Sequence, residues 1–174
     1  MTAAPTTTFD HHSFDKHWER SFIVRIGKAG LDLPRLAVLR TLTRTARSAS
    51  ELATASDRQH GQVLRILDWL TGRGFAEEQT GWALTAIGQH MIETGSHERL
   101  TRSQRTMLED LRRVEGARAL TDLASGRTNT ALTITSRWLH NHRYIHTVQV
   151  WRVTLEGSVF AAADQRDAGN GGEQ

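Results

Sequence analysis

The chain contains no cysteine. That excludes disulfides, thiolate nucleophiles and sulfur-rich metal sites, and fits a reducing compartment. No stretch approaches the ~18 apolar residues of a membrane span, and Met1 to Asp10 lacks the basic and apolar regions of a secretion signal. The expectation is a cytoplasmic protein with no membrane partner. Lysine is nearly missing as well: of 22 basic residues only Lys16 and Lys28 are lysines. That bias reads first as the mark of a GC-rich genome, although arginine also suits phosphate recognition.

Signatures of catalysis are missing too. There is no Gly-x-x-x-x-Gly-Lys, no Gly-x-Gly-x-x-Gly and no Gly-x-Ser-x-Gly elbow. Acidic pairs such as Glu77-Glu78 and Glu109-Asp110 read as exposed faces. His140, His142 and His146 span a helix end and a strand with no cysteine or acid among them, whereas zinc wants about four nitrogen, oxygen or sulfur ligands. The expectation is a non-enzyme without catalytic residues, metal or cofactor.

What the chain does contain is a repetition. Trp69-Leu70 returns sixty-nine residues later as Trp138-Leu139, Phe75 as Tyr144, Trp82 as Trp151, Thr85 as Thr154 and Gly88 as Gly157. Leu39 and Leu42 match Leu108 and Leu111 at the same spacing, and Leu52-Ala53 matches Leu123-Ala124 two residues out of step. The period suits a small domain present twice. Modules of about 60 residues bury only roughly 60% of their unfolded surface and are marginal alone, so two copies packed together, or a dimer, would be the remedy.

Within the first copy, Leu33-Pro34 precedes the apolar positions Leu36, Val38, Leu39 and Leu42, a helix with proline near its first turn. Ser48 to Ala53 offers a serine cap and a short second helix. Val63, Ile66, Leu67 and Leu70 form the buried stripe of a third, ended by Gly72 and Gly74. Phe75–Glu78 and Trp82–Leu84 around Gln79-Thr80-Gly81 predict a two-stranded hairpin, and Thr85 opens a closing helix through Met91. The second copy repeats the plan: helices over Ser103–Val114, Ala117–Ala124 and Asn129–Asn141, a hairpin from Tyr144–Thr147 and Val150–Val153, and a last helix from Thr154.

Three helices followed by a hairpin make the winged helix-turn-helix plan. Leu36 to Gly88 resembles the winged-helix domain of MarR-type bacterial regulators through Ser50-Glu51-Leu52-Ala53, Val63 to Leu70, Gly74-Phe75 and Leu84-Thr85-x-x-Gly88. The first copy departs from that family in a short wing without Asp-x-Arg at its tip. The second carries Arg143 where the first has Gly74. Two small modules in tandem are closer in architecture to segregation and condensation protein B. The expected fold is mainly α with small β-wings: a disordered N-terminus over 1–12, an N-terminal helix over 13–30, winged-helix domains over 31–97 and 98–163, and a disordered tail over 164–174.

In proteins of this plan the third helix enters the major groove. That would place Arg58, Gln59, Gln62 and Arg65 of the first copy, and Arg127, Thr128, Asn129, Thr130, Thr133 and Arg137 of the second, against DNA. Arg and Gln suit guanine and adenine, and small hydroxyls suit phosphates or thymine methyl groups. The second wing, with Gln149 and Arg152, would lie on the backbone, while Glu77-Glu78 of the first wing would be repelled. Net charge agrees: residues 35–97 carry +1 and residues 98–163 carry +4. The four tryptophans of the repeat are read as packing residues. The leading expectation is a sequence-specific, nucleoid-associated regulator of transcription whose partner is double-stranded DNA; a homodimer and a small-molecule effector stay open. The alternatives are a tandem winged-helix adaptor of the chromosome-segregation kind and a replication or partition factor of a mobile element.

Overall fold

The structure, a computed structural model, describes residue 27, residues 29–123 and residues 126–162. The expected N-terminal helix (apart from Gly27, Ala29 and Gly30) and both expected disordered ends lie outside the described residues. Within them the protein is mainly α, with seven helices and one four-stranded antiparallel sheet.

Helix α1 (Leu33–Thr41) starts where Asp32 accepts a hydrogen bond from the Arg35 amide at 2.9 Å, with Pro34 in its first turn. Strand β1 (Arg47–Ser48) leads into α2 (Ala49–Ser56), where Ser48 and Glu51 satisfy each other's orphan amides in a capping box. Helix α3 (His60–Gly72) buries Val63, Leu67 and Leu70. Gly74, left-handed at φ 76°, then turns the chain into β2 (Ala76–Leu84) and α4 (Ala86–Glu93). In the second copy α5 (Arg102–Arg113), β3 (Arg118–Ala119), a 3-10 turn (Leu120–Leu123), α6 (Asn129–Asn141), β4 (Ile145–Val153) and α7 (Leu155–Ala162) follow in the same order.

Two expectations fail. Ala117–Ala124 is not a helix but a two-residue strand and a 3-10 turn, with Ala124 outside the described residues. Ala119 stands where the first copy has its capping Ser48, so nothing closes the orphan amides of a second helix. The hairpins do not form either. Each stretch is one continuous nine-residue strand, and β2 and β4 pair with each other along their whole length, from Ala76↔Val153 to Leu84↔Ile145. Tight hairpins need residues at positive φ; Gly81 is not among the left-handed glycines. It is small for another reason: a Cβ there would lie 2.5 Å from the Val150 side chain.

The register is a two-fold. Thr80 faces Gln149, its own counterpart at the sixty-nine spacing, so a pseudo-dyad passes between them. Strand β1 adds to β4, and β3 adds to β2, in equivalent positions on either side, giving the order β1-β4-β2-β3.

The two larger cores consequently cross the halves of the chain. The first combines Val38, Leu39, Leu52, Val63, Leu67, Leu70 and Phe75 with Trp151, and Val153, Phe160 and Ala161 pack against it. The second combines Met107, Leu108, Leu111, Leu139 and Ile145 with Ile92, and Trp82, Leu84 and Met91 pack against it. Each helical unit (three helices in the first copy, two and a 3-10 turn in the second) is closed by the strand end and closing helix of the other copy. The cores therefore do not divide at 97/98. Fully burying an aliphatic side chain contributes about 1.5–3 kcal/mol, so neither half alone would keep its core.

The repeated Thr-x-x-Gly motif holds this exchange. Thr85 Oγ1 accepts from the Gly88 amide and donates to the Arg143 carbonyl at 2.6 Å, while its amide reaches the Tyr144 carbonyl. Thr154 repeats this on the first copy, with Gly157 as donor and the Gly74 and Phe75 carbonyls as acceptors. Any Cβ on Gly88 or Gly157 would run into the Tyr144 or Phe75 carbonyl.

Candidate nucleic-acid interface

Exchange uses up much of what the sequence offers to DNA. Arg152 is opposite Glu77, and its Nε and Nη2 both donate to Glu77 Oε2, at 3.0 and 2.9 Å. Gln149 donates to Glu78 Oε1 at 2.8 Å. The acidic and basic wings are thus two strands of one ribbon, and their contrast is largely neutralised within it. Hydrogen bonds from Gln79 and then Arg152 hold the Glu77 carboxyl below its ordinary value. Gln149 and Arg152 are cross-strand partners and do not form a free basic wing.

Arg127 is also removed from the outer surface. Its Nη2 donates to Asp110 Oδ2 at 2.6 Å and to the Leu123 carbonyl at 2.7 Å, and both charged side chains are only 14% exposed. It ties α5 to the turn before α6. Arg58, its counterpart, is half-buried with Nε shielded from solvent. The threonine run has local explanations as well. Thr128 caps α6 by accepting from the Ala131 amide, Thr133 donates back to the Asn129 carbonyl, and buried Thr135 shares a hydrogen bond with Ser103 at 3.0 Å.

What remains is the outer face of each third helix. Gln59 at the N-cap of α3, Gln62 and Arg65 on α3, and Asn129, Thr130 and Arg137 on α6, are exposed, and their side chains make no hydrogen bond or ion pair among the described residues. Thr128 and Thr133 are exposed beside them. These helices are fixed by their inner faces, where Val63, Leu67 and Leu70 or Leu132 and Leu139 are fully buried, so the polar side chains project from a rigid element. One surface residue escaped the sequence reading. Ile134 is 65% exposed on α6, and the sixty-nine spacing identifies it, because it stands where α3 has Arg65.

The four tryptophans of the repeat pack, in line with their reading as packing residues. Trp151 is buried in the first core, and Trp82 lies 5.5 Å edge-on from His140. Arg35 and Arg73 lie over Trp69 at 4.2 and 5.3 Å, and His142 stacks on Trp138 at 3.7 Å. No group of three metal-ligating side chains comes together among the described residues, and no helix among them is long and apolar enough to cross a membrane.

The seam between the copies combines a small apolar cluster of Ala46, Ala117, Ala119 and Val150 with polar ties. Arg118 donates to Glu51 Oε1 at 2.6 Å, and Asp122 Oδ2 accepts from the Ala46 amide at 2.8 Å. Burial by itself would raise the Glu51 carboxyl, but hydrogen bonds from Arg118 and from the Ser48 amide and hydroxyl, with the Arg118 charge, outweigh it and hold the group below its ordinary value. An open groove of about 730 Å³ runs along this seam, lined by Glu51, Gln89, Arg112 and Glu115 among others.

Neither a scan against models of protein families nor searches of curated proteins and of solved structures finds a match to this chain.

Proposed function

We propose that this chain binds double-stranded DNA through α3 and α6, as a one-chain counterpart of a two-fold helix-turn-helix dimer, and regulates transcription. In this reading both helical units are winged-helix modules whose wings have been exchanged into the central ribbon, the second with a 3-10 turn in place of its middle helix. One observation carries it: a duplicated third helix, repeated about a dyad, keeps an exposed and unpartnered row of Arg, Gln and Asn while the surrounding polar groups are tied up internally. Such side chains make paired hydrogen bonds with guanine and adenine edges, and two-fold placement of third helices is how dimeric regulators address successive major grooves. Arg127, Gln149 and Arg152 leave the contact set, and with them the wing on the backbone.

The adaptor reading keeps one specific support. Leu155 and Val159 of α7 are 82% and 59% exposed and lie one turn apart, an apolar pair that suits protein better than DNA. Fluorescence anisotropy with random and genomic duplexes across a salt series separates the two. Log K should fall with log salt by about 0.9 per phosphate neutralised. Arg65→Ala and Arg137→Ala should weaken binding, and Arg152→Ala should not. Absence of binding at low salt would leave the adaptor.

A further inference from the structure

The outer faces of the two third helices have diverged at position after position. At the sixty-nine spacing Gln62 is replaced by Ala131, Arg65 by Ile134 and Asp68 by Arg137, and all six residues are exposed. A homodimer would present the same face twice. Here one dyad relates two faces of different chemistry within a single chain.

Their preferences follow from the side chains. On α3, Arg65 can donate two hydrogen bonds to guanine N7 and O6, and Gln62 can donate to adenine N7 while accepting from its N6 amino group. Asp68 on the same face carries the sign that phosphate repels. On α6, Ile134 places a β-branched apolar side chain in open solvent, where burial against a thymine methyl group would be favourable. Asn129 suits adenine, and Arg137 supplies the charge that its counterpart Asp68 lacks.

Resting on the DNA-binding reading above, we infer that one chain recognises a bipartite, non-palindromic duplex site. The α3 half is read by hydrogen bonds to purines. The α6 half is A·T-rich and is read through a thymine methyl group, and no second chain is needed to complete the complex.

The test is selection of duplexes from a random pool by the full chain, followed by native mass spectrometry of the selected complex. One chain per duplex and two unlike half-sites are expected. Arg65→Ala should relax base preference in one half alone and lower affinity for the selected site about tenfold or more. Ile134→Arg should alter the other half alone, moving it toward the inverted sequence of the first. Two chains per duplex, a palindromic consensus, or both variants acting on one half-site would overturn the inference and leave DNA binding standing. Binding without enrichment of any sequence would do the same. No binding at low salt would remove the DNA reading itself, and this inference with it.

Discussion

Trp69 and Trp138 hold equivalent places in the two halves, but different groups cover them. Two guanidinium groups, Arg35 and Arg73, lie over the first, and His142, the counterpart of Arg73, stacks on the second. The same contrast recurs elsewhere. The first copy has a capped α2 where the second has a 3-10 turn, and Gly74 stands where the second forces Arg143 to φ 61°. By comparison, Thr85/Thr154, Gly88/Gly157 and Leu70/Leu139 are unchanged and make the same contacts on opposite cores. Residues that hold one copy on the other are kept, and residues that face outward have drifted apart. Divergence within one chain thus separates the scaffold from the outward-facing surface.

Breaking the shared latch should have the largest effect. Gly157→Ala drives a Cβ into the Phe75 carbonyl, a backbone atom at the α3–β2 corner that cannot easily yield. A loss of about 2–3 kcal/mol is expected, read as a melting temperature lower by roughly 5–10 °C. Gly88→Ala should do the same at the Tyr144 carbonyl, and an undisturbed melt for either variant would contradict the latch.

The seam should matter next. Glu51→Gln removes the carboxylate from a partly buried hydrogen-bonded pair, for an expected loss of about 1–2 kcal/mol after allowance for its exposure. Because the Glu51 carboxyl is held below its ordinary value of 4.5, its contribution is complete above that value. The contribution disappears as the pH falls from there through the lowered value in the fold. Acid titration of stability should therefore be shallower in Glu51→Gln than in the wild type below about pH 5. Equal slopes would sink the assignment.

Repairing an asymmetry sharpens the comparison from the other side. Arg143→Gly gives the second copy the left-handed glycine that the first already has, and a gain of about 1 kcal/mol in urea unfolding is expected. The smallest effect belongs to the ribbon. Glu77→Gln breaks an exposed pair with Arg152 and should change stability by less than about 0.5 kcal/mol. A larger loss would mean that the ribbon surface, and not the buried latch, holds the copies together.

Most helices were legible. The Ser48 cap announced α2, Thr85 announced α4, and the Val63–Leu70 stripe announced α3, since caps and 3.6-residue periodicity are local properties. Strand pairing was not. In a duplicated chain, contacts within a copy and contacts between copies are chemically the same, so Thr-x-x-Gly docks as well on one helix–strand corner as on the other. The remaining signal lay in the turns. Val148-Gln149 offers the second copy no glycine or asparagine for a hairpin, and that absence argued for a continuous strand. At the candidate interface the helix faces were legible from periodicity. The removal of Arg127 by Asp110, and of Gln149 and Arg152 by Glu78 and Glu77, depended on long-range packing that no local pattern encodes.

The exchange itself can be tested directly, because the chain has no cysteine to confuse the result. Thr80→Cys with Gln149→Cys places two thiols across the dyad on directly opposite residues of β2 and β4. Mild oxidation followed by intact-mass and non-reducing gel analysis should yield an intrachain disulfide in a monomeric chain. Two separate hairpins would put those residues at the tips of different wings. Free thiols after oxidation, or links only between chains, would contradict the account.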